Sequence, residues 1–259
     1  MYAEKIKEAV KQVSKLYSEA TSGILVVDEK GDKTNLVTQY DKAIQEELSK
    51  TLIEMFRGEF PDIAVVGEEG EGSKAIPKSN CFIIDPIDGT TNFIHNYLHS
   101  AISVAFVKEG TLEAGVVFDV DKNLMFSAER NCGAFLNGDK INVSKTHLDH
   151  ALVQIGTSPY NRELTDRTFE LAKKVYEKAI DIRRSGSAAL DICYVASGKS
   201  DLYFELNTYP WDWAAASLIL KEAGGVITNL KNAPLATDGP DSIVCGNPLI
   251  HKEFFELIK

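Results

Sequence analysis

Cys81-Phe82-Ile83-Ile84-Asp85-Pro86-Ile87-Asp88-Gly89-Thr90-Thr91-Asn92-Phe93 is the densest piece of chemistry in this chain. The four leading residues form a short apolar run of the kind found in buried strands. Two aspartates three residues apart follow directly. Pro86 fixes its own φ and lacks a backbone donor, so the pattern predicts that the strand stops at Asp85-Pro86 and turns out of the sheet. Both carboxylates can then face one point. Thr91-Asn92-Phe93 begins a helical turn, which would aim the Gly89 and Thr90 amides at an anion. One loop thus offers acids for cations and N–H groups for phosphate. Asp-Gly is also a common surface-turn dipeptide. The position at the end of a buried strand favours a site, because open α/β sheets bind ligands there.

Upstream, Ile63-Ala64-Val65-Val66 reads as a second buried strand, ending at Gly67-Glu68-Glu69, with a polar loop from Gly70 to Asn80. Before it, Ile6, Ala9, Val10, Val13, Leu16 and Tyr17 share one helical face. A second helix runs from about Asp41 with the stripe Ile44, Leu48, Leu52, Met55 and Phe56, and residues 31–34 form a turn between the two. Downstream, residues 100–143 read as an antiparallel meander, with a hairpin at Asn137-Gly138. The second half alternates: helix 163–179, strand 180–183, helix 187–196, strand 202–206, helix from Trp211, strands 226–228 and 243–245, and a last helix opened by Pro248. The expected fold is α+β in the first half (about 1–145) and α/β in the second (about 146–259). Together they make one continuous layered sandwich over residues 1–259.

The chain has 259 residues, 44% hydrophobic and 25% charged, the composition of an ordinary globular protein. A net charge of -10 argues against a nucleic-acid groove. It permits an anionic substrate, since bound metal ions reverse the local sign of a site. Cys81, Cys132, Cys193 and Cys245 are widely spaced, with no C-x-x-C pair, and read as buried or half-buried free thiols. The amphipathic start MYAEKIKEAV is no signal peptide, and no stretch approaches the ~20 apolar residues of a membrane span. The expected location is a reducing cytoplasm, away from membranes.

Other acids have ordinary readings when taken singly. Glu68 follows a strand, where glutamates are usually solvated. Asp41 and Asp212 stand at helix starts, where aspartate is usually a cap. Together with Asp85 and Asp88 they are harder to dismiss. Carboxylates without neighbouring His or Cys suit Mg²⁺ or Mn²⁺ rather than zinc. Two such ions about 4 Å apart can clamp the attacking and leaving oxygens of a phosphoryl displacement. Ser185 and Ser187 lack a recognisable general-base histidine, and the five histidines read as surface or structural.

The nine residues 85–93, with Gly67-Glu68-Glu69 before them and Trp211-Asp212 and Gly224-Gly225 beyond, resemble the inositol monophosphatase family. The resemblance covers nearly the whole chain and is strongest to bacterial members. Residues 182–189 are similar to the family's substrate-side segment. The resemblance implies a first Mg²⁺ held by Glu68, Asp85 and the carbonyl of Ile87, and a second held by Asp85, Asp88 and Asp212. A third, weaker ion is implied near Glu68. Gly89 and Thr90 amides would bind phosphate, and Thr90 with Asp41 would orient the attacking water. Glu205 and the backbone of Ala188 would contact substrate hydroxyls. The resemblance further implies the αβαβα layering of a sugar-phosphatase-like fold, a homodimer, lithium sensitivity, and a small phosphate monoester as substrate. Alternatives within the superfamily are fructose bisphosphate, histidinol phosphate and nucleotide phosphates. A different class, a regulatory binding protein, stays open because some bacterial members bind transcription machinery.

Overall fold

The apolar stripe at the N-terminus forms its helix: α1 (Tyr2–Ala20) buries Ile6, Ala9, Val10, Val13 and Tyr17. The chain is described here by a computed structural model covering residues 1–20, 27–29, 36–70 and 75–259. The expected turn at 31–34 and part of the expected loop at 70–80 lie outside the described residues. Two short strands, β1 (Val27–Glu29) and β2 (Leu36–Thr38), pair antiparallel. Helix α2 (Gln39–Phe56) starts two residues before Asp41, because Thr38 is its N-cap and Asp41 sits at its third position.

Next come β3 (Ala64–Gly67), β4 (Cys81–Asp88), the one-turn α3 (Thr90–Ile94), β5 (Ala101–Lys108), β6 (Thr111–Asp119) and β7 (Leu124–Glu129). The hairpin β8 (Ala134–Leu136) and β9 (Asp139–Ile141) closes the series. These seven strands form one sheet in sequence order, parallel between β3 and β4 and antiparallel thereafter. One expectation is corrected here. β4 does not stop at Asp85-Pro86 but continues to Asp88, with all eight residues buried. Its register against β5 shifts between Asp85 and Asp88, where three steps on β4 match two on β5. A bulge of this kind needs no amide from Pro86, so the proline stays within the strand.

The second sheet takes β10 (Leu152–Ile155), β11 (Asp181–Arg183), β12 (Leu202–Thr208), β13 (Val226–Thr228) and β14 (Asp241–Gly246), in the order β11-β10-β12-β14-β13. Strand β10, paired parallel to both β11 and β12, was not expected from the sequence. The helices of this half are α4 (Thr165–Tyr176), α5 (Ala188–Ala196), α6 (Pro210–Glu222) and α7 (Pro248–Leu257).

Packing orders these elements into five layers. Helices α1 and α2 cover one face of the seven-stranded sheet; α5 and α6 lie between the two sheets; α4 and α7 cover the outer face of the five-stranded sheet. Three apolar clusters fill the spaces. The outer one on the large sheet includes Phe56, Phe82 and Phe106, with Phe56 and Phe82 edge to face at 4.9 Å. Helix α6 buries Trp211, Trp213, Ala214, Ala215, Ala216, Leu218, Ile219 and Leu220, as a helix sandwiched between sheets must. Cys81, Cys193 and Cys245 are buried free thiols, but Cys132 is exposed, because the turn joining β7 to β8 carries it outward. Among the described residues no helix is long and apolar enough to cross a membrane.

Candidate active site

The end of β4 and the starts of α5 and α6 converge on one cleft of about 170 Å³. Its walls carry Glu68, Asp85, Ile87, Asp88, Gly89, Thr90, Ala188, Glu205 and Asp212. Every residue named for metal, phosphate or substrate on the sequence is therefore brought together, with one qualification for Asp41. That residue is fully buried and lies behind Thr90 rather than on the wall.

Each side chain is fixed by its own element. The Glu68 amide donates to the Ile84 carbonyl at 3.1 Å, extending the β3–β4 pairing by one residue past β3. Gln45 on α2 holds the next residue from both sides: its Oε1 accepts from the Glu69 amide at 2.9 Å and its Nε2 donates to the Glu69 carbonyl at 2.5 Å. Asp85 Oδ1 accepts from the Ile87 amide at 3.0 Å, folding the bulge over its own carboxylate. Gly89 has φ +94°, and a Cβ there would stand 3.1 Å from the carbonyl oxygens of Gly186 and His99. Only glycine fits this left-handed turn into α3. The Thr90 hydroxyl lies 3.1 Å from the Ile87 carbonyl and 3.3 Å from Asp41 Oδ1, and can donate to either. The other Asp41 oxygen accepts from the Thr38 amide at 2.8 Å and hydroxyl at 2.5 Å. Asp41 is thus the capping-box partner of the N-cap Thr38 and the support of Thr90.

Asp88 reaches across to the second half of the chain. Its Oδ2 accepts from the Ser187 hydroxyl at 2.5 Å and the Ala189 amide at 2.7 Å, and its Oδ1 from the Ala188 amide at 3.3 Å. Asn92 ties the same two segments together, its Nδ2 donating to the carbonyls of His99 at 2.7 Å and Ser185 at 2.8 Å. Asp212 belongs to the first turn of α6 rather than preceding it, and accepts from the Tyr209 amide at 2.7 Å. Tyr209 and Trp211 stack at 4.9 Å and line the floor beside it.

The electrostatics of the cleft are those of a site short of positive charge. Burial raises Asp85 well above its ordinary range, and Glu68, Asp88 and Asp212 push it further. Burial likewise lifts Asp88 to about 7, against the opposing hydrogen bonds of Ser187 and Ala189. Asp212 is raised by burial and then by Asp88. No cationic side chain figures among the leading influences on any of these three. Among the described residues, no three acidic, histidine or cysteine side chains stand in ready-made ligand geometry. Asp88 and Asp212 each accept hydrogen bonds from nearby backbone amides. The donors are all oxygen, and their shared deficit is of positive charge, so the residues fit a hard divalent cation.

Some lining residues escaped the sequence reading. Tyr160 on the loop after β10 has a phenol raised by burial and by the field of all four acids, Glu68, Asp212, Asp85 and Asp88. Arg184 is the one cationic side chain among the described lining residues. Tyr160 carries no local signal, whereas Arg184 and Ser187 lie in the segment 182–189 that the family resemblance marks as the substrate side. Ser187 also carries a capping signal: a serine directly before an apolar helical run is a helix cap. Here it accepts from the Leu190 amide at 3.3 Å while donating to Asp88.

Comparison with known proteins identifies the family and the fold. The sequence profile of the inositol monophosphatase family matches residues 2–259. Nus factor SuhB of Xylella fastidiosa is 37% identical over 216 residues, 80% of this chain and 77% of that protein. Inositol-1-monophosphatase of Rhizobium meliloti is 37% identical over 220 residues, 85% of this chain and 79% of that protein. Among solved structures, the extragenic suppressor protein suhB of Bartonella henselae superposes with a TM-score of 0.89 at 28% identity, covering 99% of this chain and 97% of that one. An IMPase/NADP phosphatase complexed with Mg²⁺ and phosphate shares the fold at 22% identity, with a TM-score of 0.85 over 98% of this chain and 93% of that one. The chain belongs to the inositol monophosphatase family.

Proposed function

We propose that this protein is a magnesium-dependent phosphomonoesterase that hydrolyses inositol monophosphate to myo-inositol and phosphate by direct attack of water. One observation carries the reading: Glu68, Asp85, Asp88 and Asp212 line a single cleft, in which burial and neighbouring acids raise Asp85, Asp88 and Asp212 above the ordinary carboxylate range. Glu68, Asp85 and the Ile87 carbonyl would hold one Mg²⁺, and Asp85, Asp88 and Asp212 a second, with a third near Glu68 and Mn²⁺ as a substitute. When bound, these ions supply the positive charge that activates water and steadies the phosphoryl and leaving oxygens. The Thr90 hydroxyl, backed by Asp41, orients the attacking water. Gly89 and Thr90 amides receive the phosphate oxygens, and Glu205 and the backbone of Ala188 face the polyol. The setting proposed is a cytoplasmic homodimer acting on a small soluble ester.

The test is phosphate release across inositol, fructose, nucleotide and histidinol phosphates, with Mg²⁺ and with EDTA. Release from inositol monophosphate that EDTA abolishes is expected. No release from any ester at saturating Mg²⁺ would remove the reading. A sugar bisphosphate is a second reading, favoured by the guanidinium of Arg184 on the cleft wall, where a second anionic group would be met. The relative named Nus factor SuhB favours a further role as a regulatory binding protein. Capture of a partner equally by wild type and by an Asp85→Asn variant would show that role to be independent of catalysis.

A further inference from the structure

Glu205 stands on β12 and faces the cleft, but most of its hydrogen-bonding capacity is already used. Its Oε1 accepts from the Ser158 amide at 2.7 Å and the Ser158 hydroxyl at 3.1 Å. Its Oε2 accepts from the Tyr203 hydroxyl at 2.6 Å. A carboxylate has about four lone-pair sites, so three of them are taken within the protein. These bonds fasten the segment 156–161 to β12. The Gly156 amide donates to the Phe204 carbonyl at 2.9 Å, and the Asn161 amide to the Ser158 carbonyl at 2.9 Å. The Ser158 hydroxyl also accepts from the Asn207 amide at 3.1 Å. Two further features show how closely this loop is shaped around the carboxylate. A Cβ at Gly156 would lie 2.0 Å from Glu205 Oε2, and Ser158 is held at φ +43°, a left-handed conformation uncommon for serine.

The clamped segment carries Tyr160. About half of its surface stays exposed at the mouth of the cleft, while its phenol feels all four acids of the proposed metal site. An aromatic ring with one polar end, at the rim of an acidic pocket, suits a sugar-like alcohol: the ring covers C–H groups and the hydroxyl meets an O–H.

We propose that Tyr160 contacts the alcohol part of a polyol phosphate, and that Glu205 acts on substrate as a positioning residue, by clamping Ser158 so that Tyr160 faces the cleft. The proposal rests on the phosphatase reading. It places specificity on a loop residue and gives Glu205 an indirect role in place of the direct hydroxyl contact.

A double-mutant cycle of Tyr160→Ala and Glu205→Ala, read as kcat and KM on inositol monophosphate, tests it. Loss of one hydrogen bond and its ring contact should raise KM about tenfold for each single variant, with kcat nearly unchanged. The double variant should lose no more than the worse single one, since both remove the same contact. Tyr160→Phe should recover part of the loss. Hydrogen exchange of the amides at 156–161, read without substrate, should quicken in Glu205→Ala. If Glu205→Ala fails to fold, Glu205→Gln replaces it in the cycle, because its amide cannot accept from both Ser158 and Tyr203. Additive losses would show that Glu205 touches substrate on its own and would overturn the proposal, as would unchanged exchange at 156–161. A wild-type protein silent on every ester would overturn the phosphatase reading and the substrate contact with it, while exchange would still score the clamp.

Discussion

The Ser187 hydroxyl donates to Asp88 at 2.5 Å and accepts from the Leu190 amide at 3.3 Å, so a single side chain caps α5 and holds the carboxylate at the end of β4. The two partners of Ser187 come from opposite halves of the chain. This contact couples the stability of α5 to the geometry of β4.

Ser187→Ala should therefore have two effects. Loss of an N-cap and of a hydrogen bond to a charged group should lower stability by about 1–3 kcal/mol. It should also raise the Mg²⁺ concentration needed for half-maximal activity, because Asp88 loses an aiming contact. Thermal melts and a Mg²⁺ titration check this. Wild-type metal dependence with reduced stability would confine Ser187 to capping.

Asp88→Asn keeps the shape and removes one charge. Turnover should fall by at least about a hundredfold, since this oxygen is assigned to the ion that steadies the leaving group. The fold should survive, because the substitution relieves repulsion among buried acids. Near-normal turnover at saturating Mg²⁺ would refute the assignment.

The metal-free protein should become less stable as pH rises from about 4 to about 7. Asp88 is lifted from 3.8 to about 7 in the folded chain, so over that interval the folded state holds a proton the unfolded state has released. Asp85 and Asp212 act in the same direction. In EDTA, Tm should be lower at pH 8 than at pH 5, and the fall should be smaller in Asp88→Asn. Added Mg²⁺ should stabilise more at pH 8, because its ligands must be deprotonated. A flat profile in EDTA would count against the burial of these charges.

Calcium should inhibit rather than replace magnesium. It takes more ligands at longer bonds, so it would occupy an all-oxygen site without setting the same geometry. Assays at fixed Mg²⁺ with rising Ca²⁺ read this directly, and undiminished turnover would argue for a single, tolerant cation site.

Gly89→Ala should cost more than an ordinary surface change. The new Cβ would press on two carbonyl oxygens at 3.1 Å and be held at φ +94°. Backbone strain of this kind costs about 1–3 kcal/mol. Activity should fall further than stability, since the shift moves the Gly89 and Thr90 amides. Equal activity in a stably folded variant would separate these amides from phosphate binding.

Several features were legible in residue order alone. The stripes of α1 and α2, the meander from β5 to β9, the glycine-dependent turn at 89 and the pairing of two aspartates with a strand end all depend on neighbours within a few positions. Periodicity and turn chemistry report such neighbours directly. A layered sandwich followed from that order of elements, and its αβαβα sequence of layers from the family resemblance. Strand β10 was not legible: Leu152-Val153-Gln154-Ile155 is short, its partners β11 and β12 come later in the chain, and Gln154 turns its amide to the buried Asp191 at 2.6 Å. Pro86 signalled a strand end that the bulge against β5 removed. Only the tertiary structure could turn Asp88 toward α5, or bring Tyr160 and Arg184 to the same cleft. Those contacts span roughly a hundred residues of chain or join separate sheets. Their energies depend on burial and on charges delivered from elsewhere in the fold, which no local pattern of residues records.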